Sequence, residues 1–206
     1  MLKGTPHLWI LMAIVLVFGP WIPVLGYIVP IVFLAAFISG LSRGRWMCGN
    51  ICPRGSFNDF ILSKISRMRK IPAAFHSMWV RVPVLLLMMV FMLFRLSSTQ
   101  GIVNQVGMVF VSMCYLTTII AVLLGITVNP RAWCSFCPMG TLQNILGQGK
   151  PKVSVDPALC IDCGRCSRIC PIQIEPNRTG IKPDCLLCGR CVRECRHKAL
   201  LYGKGQ

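Results

Sequence analysis

Eight cysteines near the C-terminal end of the chain fall into two runs with the same spacing. Each run has two residues between its first, second and third cysteines, and three residues before its fourth. Such two-residue gaps allow one turning segment to present three thiolates to an iron–sulfur cube, while the offset fourth cysteine reaches the other cube. The spacing therefore predicts two [4Fe–4S] clusters. Their expected ligands are Cys160, Cys163, Cys166 and Cys195 for the first, and Cys185, Cys188, Cys191 and Cys170 for the second.

Zinc and disulfides are the competing uses of such cysteines. Cys-x2-Cys pairs also build zinc sites, but two identical runs of four favour clusters, and disulfides do not persist in a reducing cytosol. From Val153 to Leu201 the chain resembles a bacterial two-cluster ferredoxin. That resemblance implies a small α+β domain. Arg196 stands where the first run has Pro171, which leaves ligation intact but would change the surroundings of the nearby cluster.

Four more cysteines form two pairs, and each pair ends in Cys-Pro. Three residues separate Cys48 from Cys52, and two separate Cys134 from Cys137. If folding brings the pairs together, the four thiols could ligate a third cluster, bind a soft metal, or cycle between dithiol and disulfide. Two structural Cys-Pro turns packed under tryptophans are the alternative. The remaining cysteine, Cys114, is expected to be a small apolar packing residue.

The two Cys-Pro segments are copies of one another. Residues 52–61 align with residues 137–146 without a gap. Every aligned pair except Arg54 and Met139 is identical or chemically similar. The copies therefore indicate an internal repeat, in which equivalent elements should precede each loop.

Long apolar stretches before each copy are the elements that must position these loops. A membrane span needs about 20 apolar residues. Val82–Phe94 with its flanks and Val103–Val128 form a hairpin before the second copy. The stretch Leu8–Ser39 is too long for one span and contains three prolines. With a turn at its Gly-Pro segment, Leu2–Phe18 and Val24–Leu41 give four spans as two parallel repeats. A single kinked helix, giving three spans, is the competing interpretation.

Composition and charge agree with a membrane protein that faces the cytoplasm. The 206-residue chain is 54% hydrophobic and 14% charged, which excludes an ordinary soluble domain and a disordered chain. Eight Lys and Arg lie between Ser42 and Arg81, against Asp59 alone, whereas the opposite loop carries one Arg. Because positive loops stay inside, both Cys-Pro motifs and the C-terminal part are expected on the cytoplasmic side of the inner membrane. No cleavable signal peptide is evident.

The net charge of +16 does not by itself indicate nucleic acid. Eight thiolates and two cluster cores would reduce the charge of the C-terminal part to roughly +2. A local basic face could still dock an acidic electron carrier, although a solvated helix face is the simpler interpretation. That face comprises Arg190, Arg193, Arg196 and Lys198. The predicted domains are residues 1–149, helical and membrane-spanning, and residues 150–206, the two-cluster ferredoxin domain.

A short amphipathic helix is predicted after the first Cys-Pro-x-Gly. Ser56 and Asp59 resemble a capping box, and apolar residues then recur at helical spacing. These apolar residues are Phe57, Phe60, Ile61, Ile65 and Met68. The helix could lie at the bilayer interface, with Lys64 and its basic neighbours at the headgroups, or pack against the bundle. Either arrangement is expected to hold the cysteine loop at the membrane surface.

The combination of paired Cys-Pro loops, membrane hairpins and a C-terminal two-cluster domain resembles the NapH/NosR-like membrane ferredoxins, over Leu8 to Leu201. These include the polyferredoxin subunit of the periplasmic nitrate reductase system and the C-terminal part of the nitrous oxide reductase maturation protein. The resemblance implies electron movement between membrane quinol and iron–sulfur or periplasmic partners. The two-residue spacing of the second pair departs from the usual three.

We therefore expect a membrane electron-transfer subunit with redox protein partners, a component of an oxidoreductase rather than a stand-alone catalyst. The chain shows no paired carboxylates, no Ser/His/Asp set and no phosphate-binding loop. Candidate contacts to a menaquinone or ubiquinone, with plain membrane anchoring as the alternative, are His76, Trp79, Arg81, Gln100, Asn104 and Gln105. The competing functions are copper or iron reduction at the Cys-Pro loops, and the anchoring and wiring of a larger redox complex.

Overall fold

The computed structural model describes residues 7–99, 101–148, 153–175 and 184–202. Its membrane part contains four longer helices, α1 (Trp9–Phe18), α2 (Ile28–Arg43), α6 (Met78–Ser97) and α7 (Val103–Thr127). Between them lie the shorter helices α3 (Trp46–Asn50), α4 (Pro53–Phe57), α5 (Ser63–Ile65), α8 (Ala132–Phe136) and α9 (Pro138–Leu146). The predicted domain boundary at residues 149 and 150 lies outside the described residues.

Among the described residues, three helices are long and apolar enough to cross a membrane: Pro23–Arg43, Met78–Ser97 and Val103–Thr127. The first of these includes the 3₁₀ turn Pro23–Tyr27 that leads into α2. Helix α1 has ten residues, a length of about 15 Å, which is half of a bilayer core. The start of the predicted span Leu2–Phe18 lies outside the described residues. Three of the four predicted spans are therefore long enough to cross a membrane within the described residues.

The first apolar stretch is not one kinked helix. Helix α1 ends at Phe18, and the chain turns before Pro23, as its Gly and Pro residues predicted. The turn packs on the start of α7, where two glycine backbones touch. A Cβ on Gly26 would lie 2.2 Å from the carbonyl oxygen of Gly107, and a Cβ on Gly107 would lie 2.1 Å from that of Pro23. Glycine is required at both positions because the backbones approach so closely.

The Cys-Pro segments fold back between the long helices. Leu62 is 1% exposed and lies against Gly125 of α7. Trp133 and Phe136 pack with Ala121, also on α7. The Gln143 side chain on α9 donates a 2.7 Å hydrogen bond to the carbonyl of Ala36 in α2. Because Ala36 lies seven residues before the end of α2, the loops reach about 10 Å down the helix rather than resting on top of the bundle.

The predicted amphipathic helix exists, with two corrections. It begins at Pro53, with Cys52 as N-cap, so the expected capping box is wrong: Ser56 is buried inside α4, and Asp59 binds Arg131 instead. It continues through the π-helical turn Asn58–Leu62 and ends at Ile65. Because the helix stops there, Met68 is outside it and exposed.

In its described residues, 153–175 and 184–202, the C-terminal part contains a two-stranded antiparallel sheet and two short helices. Strand β1 (Val153–Val155) pairs with β2 (Leu200–Tyr202), and the helices are α10 (Arg165–Arg168) and α11 (Arg190–Glu194). Each helix follows a glycine in the left-handed region, with φ of +66° at Gly164 and +67° at Gly189. The two cysteine runs therefore share a backbone conformation as well as a spacing.

Candidate iron–sulfur sites

The first thiol set lines a cavity of about 220 Å³ at the solvent-facing end of the C-terminal part. Its cysteines are Cys160, Cys163, Cys166 and Cys195. The structure thus brings the last cysteine of the second run to the first three of the first run, in the grouping that the spacing predicts. Cys163 is exposed. The neighbouring Leu159 and Ile161 are also exposed, by 48% and 64% of their surfaces. This set lies open to solvent.

The second thiol set lines a smaller cavity on the membrane side. Its cysteines are Cys170, Cys185, Cys188 and Cys191. Buried Ile172, Ile174 and Leu186 pack against this set and also against Cys48 of the first Cys-Pro loop. The second set is therefore enclosed between the C-terminal part and the membrane part.

The surroundings of the second set suit a thiolate-bound cluster. Burial raises the pKa of Cys185 to about 11 and that of Cys191 to about 12, so without a cation these thiols stay protonated. A bound metal cation favours the thiolate and reverses that preference. Burial also raises the pKa of Cys170, and hydrogen bonds from the backbone N–H groups of Ile172, Ile174 and Gln173 oppose that rise. Hydrogen bonds of this kind to ligand sulfur are typical of iron–sulfur sites.

The four Cys-Pro cysteines form a third set, which we call the loop set. Cys48, Cys52, Cys134 and Cys137 lie close enough for each of the other three to raise the pKa of Cys48. Burial is the largest cause and brings that pKa to about 12, against the lowering effect of Arg45. Cys52 and Cys137 each stand at the N-cap of a short helix with proline in its first turn. The structure therefore brings the two pairs together in space.

Arginines cross between the two copies. Arg131, three residues before Cys134, donates to the carbonyl oxygen of Cys48 at 3.1 Å. Arg45, three residues before Cys48, donates to the carbonyl oxygen of Cys134. Glycine three residues after the second cysteine of each pair makes room, since a Cβ on Gly55 would lie 2.9 Å from the Arg131 guanidinium. Each loop is therefore held by the arginine of the other.

Side-chain amides cross in the same way. The thiol of Cys48 donates to Oε1 of Gln143 at 2.8 Å. The amide of Asn58 donates toward the sulfur of Cys134 at 3.7 Å. Asn58 and Gln143 are equivalent residues, each six positions after the second cysteine of its pair. The pseudo-symmetry of the loop set thus extends from its thiols to the groups that touch them.

Two buried carboxylates neutralise part of the positive charge around the loop set. Burial raises the pKa of Asp59, but hydrogen bonds and charges from Arg131 and Arg190 outweigh it and lower that pKa overall. Burial also raises the pKa of Asp184, and contacts with His76, Arg81 and Arg45 outweigh it and lower that pKa to about 2. Four arginines share these two carboxylates: Arg45, Arg81, Arg131 and Arg190. The four arginines exceed the two carboxylates by two positive charges, and this excess suits anionic thiolate sites beside them.

Several residues that sequence reasoning singled out have other roles. His76 and Arg81 bind Asp184, and Trp79 is 89% exposed, as expected of a membrane anchor. Arg190 does not belong to an exposed basic face, because it binds Asp59. Cys114 is buried and packs with Met12 and Val15, as predicted for a packing residue. Asn104 and Gln105 are exposed on α7. Gln100 lies outside the described residues.

The residue that breaks the repeat reaches into the bundle. Arg54, which stands opposite Met139, donates to the hydroxyls of Thr117 at 2.8 Å and Thr118 at 3.1 Å. Both threonines lie on the spanning helix α7. Arg54 therefore ties the first Cys-Pro loop to the middle of a membrane helix.

Sequence reasoning missed the groups that hold the loop set. They are Arg45, Arg131, Asn58, Gln143 and Asp184. The first four could have been predicted from the repeat, because Arg-x2-Cys and an amide residue six positions after the cysteine of Cys-Pro occur in both copies. Asp184 carried none, since its arginine partner Arg45 is 139 positions away.

Each thiol set has four cysteines, the number of ligands that one [4Fe–4S] cluster takes. Within the described ranges, no three His, Cys, Asp or Glu side chains converge closely enough to hold one metal ion. A [4Fe–4S] core is larger than one ion and is held by four thiolates around it. The sets therefore offer the donor chemistry of a cluster.

Comparisons with known proteins agree with this chemistry. A family model described as a 4Fe-4S binding domain matches residues 25–72 and 112–156, so that each match contains one Cys-Pro loop. A second 4Fe-4S binding domain model matches residues 152–174, which contain the first cysteine run. An uncharacterised protein of Methanocaldococcus jannaschii is 23% identical over 177 residues, which is 82% of this chain and 68% of that protein. No solved structure matches. The chain is thus an iron–sulfur, ferredoxin-like protein with helices that could span a membrane, a combination that implies electron transfer.

Proposed function

We propose that the chain is a membrane electron-transfer subunit in which three thiol sets form one path from solvent into the helix bundle. The observation that carries this proposal is the packing of Cys48, from the loop set, on the same Leu186 and Ile172 that wall the second set. The first set opens to solvent, which would make it the outer end of the path. The order is therefore first set, second set, loop set.

The chain's own residues would hold three [4Fe–4S] clusters, two of them in the grouping of the two-cluster ferredoxin and a third in the loop set. Such clusters supply one-electron redox chemistry, with a potential set by burial and by hydrogen bonds to sulfur. Burial by Ile172, Ile174 and Leu186 would exclude water from the second set. Arg45 and Arg131 would hold the two loops together and place positive charge beside the thiolates.

On the bilayer side we propose exchange with a membrane quinone, as the resemblance to NapH/NosR-like ferredoxins implies. Support comes from Gln143, which accepts a hydrogen bond from Cys48 and donates one to Ala36, about 10 Å down α2. This contact would bring the loop set within reach of a lipid-soluble carrier. The proposal includes four spans as two hairpins, a cytoplasmic C-terminal part in the inner membrane, and redox protein partners in a larger complex. Addition of reduced menaquinone to the oxidised protein without oxygen should bleach cluster absorbance. Unchanged absorbance would contradict direct quinol oxidation.

Iron content tests the central proposal. Purified anaerobically in detergent, the protein should contain about twelve iron and twelve sulfide per chain, four for each thiol set. The double variant Cys48→Ser/Cys134→Ser should fall to about eight, and Cys114→Ala, a matched loss of a cysteine outside the sets, should stay at about twelve. A wild-type value near eight would leave the loop set free for another metal or for disulfide cycling. Copper bound through Cys48 and Cys134 would favour metal reduction instead.

A further inference from the structure

The two copies of the repeat differ in their acidic residues. In the first copy Asp59 receives two hydrogen bonds from Arg131, at 2.9 Å from Nε and 2.8 Å from Nη2. The equivalent position in the second copy, seven residues after the second cysteine, is Asn144. Arg45, the counterpart of Arg131, therefore finds no carboxylate at that position of its partner copy.

A carboxylate from the C-terminal part occupies the missing place. Asn144 donates a hydrogen bond to Oδ1 of Asp184 at 2.9 Å, and Nη1 of Arg45 lies 3.5 Å from the same oxygen. Arg81 binds this oxygen too, while His76 lies 3.4 Å from Oδ2. Arg45, Arg81 and Asp184 are all at least 95% buried.

We propose that Asp184 is the carboxylate of the second repeat, supplied by the C-terminal part, and that the loop set is complete only when this part is docked. Asp184 is then a positioning residue, which acts on Cys134 through Arg45. This proposal deepens the proposed function. Its iron measurement rests on the proposed function, whereas its hydrogen-exchange measurement does not. The proposal also assigns a fixed rather than a swinging position to the second thiol set.

The rest of the interface has the same reciprocal character. In the opposite direction, Arg190 of the C-terminal part binds Asp59 of the first copy. The backbones of the two parts are also in contact, since a Cβ on Gly49 would lie 2.2 Å from the carbonyl oxygen of Leu186. The amide of Asn50 donates to the carbonyl oxygen of Leu187 at 3.4 Å. Each copy thus receives one charged residue from the C-terminal part.

Hydrogen–deuterium exchange on the full chain tests this assignment without depending on activity. Asp184→Asn should raise exchange in peptides covering residues 45–58 and 130–144 by about tenfold or more, because it leaves two buried arginines without their counter-charge. The double variant Asn144→Asp/Asp184→Asn swaps the two residues and so moves the carboxylate to position 144, on the other side of the same hydrogen bond. It should restore protection from hydrogen exchange to within about threefold of wild type. Asp156→Asn, the same change at an aspartate that binds its own turn at Ala158, should have no effect.

Arg190→Gln gives a second reading in case Asp184→Asn does not fold. It should raise exchange in the same peptides by a smaller factor, because Arg190 is about a quarter exposed and Asp59 keeps Arg131. Wild-type protection in both Asp184→Asn and Arg190→Gln would overturn the proposal. So would a failure of the Asn144→Asp/Asp184→Asn double variant to recover protection. The iron content of the wild-type protein distinguishes a failure of this proposal from a failure of the proposed function. A count of eight iron per chain refutes the third cluster, whereas the hydrogen-exchange result still decides whether Asp184 docks the C-terminal part.

Discussion

The first thiol set and the loop set each offer four cysteine sulfurs, but the chain assembles them in opposite ways. In the first set three of the four cysteines come from seven consecutive residues, and Cys163 is exposed to solvent. In the loop set two pairs come from segments more than eighty residues apart, and buried arginines join them. The first set follows largely from the local spacing of its cysteines, whereas the loop set depends on tertiary contacts. Changes of the same chemical kind should therefore have unequal effects at the two sites.

The two sites should differ most in the stability that is lost when an arginine bound to a cysteine carbonyl is removed. Arg131 donates to Cys48 at 3.1 Å, and Arg168 donates to Cys163 at 3.2 Å. Arg131→Gln removes both hydrogen bonds that Arg131 donates to the buried Asp59 and leaves Arg190 as its remaining partner, so it should cost about 3 kcal/mol. Arg168 is exposed, so Arg168→Gln should stay within about 0.5 kcal/mol of wild type.

Thermal unfolding in detergent, followed by the loss of cluster absorbance, measures both variants. The apparent melting temperature should fall sharply for Arg131→Gln and remain near the wild-type value for Arg168→Gln. Equal shifts would show that the loop set does not depend on its crossed arginines.

The same contrast explains what the sequence could predict. The grouping of eight cysteines follows from gaps of two and three residues, because such gaps limit where a short segment can place its thiols. The break between α1 and α2 follows from Gly and Pro residues in one segment. The depth of the loops could not be predicted, because amphipathic spacing after Cys52 fits an interfacial helix as well as a packed one. Nor could Asp184 be found, since nothing near it in sequence records Arg45.

Thiol reactivity in iron-free protein should separate the sites next. Burial raises the pKa of Cys48 to about 12 from an ordinary value of 9, so near pH 8 its thiolate fraction is roughly a thousandfold below that of an ordinary thiol. Exposed Cys163 should therefore be alkylated at least about a hundredfold faster than Cys48. The Cys48 rate should rise about tenfold for each pH unit below its pKa, since only the thiolate reacts.

Mass spectrometry of alkylated peptides over pH 7 to 10 measures both rates in one sample. Cys114 is the internal reference for a buried cysteine outside the thiol sets. Equal rates at Cys48 and Cys163 would mean that the loop set opens to solvent when iron is absent.

The smallest expected effect is on reduction potential, and it should fall on one site only. Arg196 lines the first cavity and is exposed. Arg196→Gln removes a positive charge near the first set, which disfavours the reduced, more negative state and should lower its potential. Solvent screening limits the change to roughly 20 mV, the equivalent of about 0.5 kcal/mol for one electron. A redox titration followed by electron paramagnetic resonance should show this shift in the first set alone. A larger shift at the enclosed second set would contradict the order of sites, because a charge on the solvent side should act most on the site nearest to it.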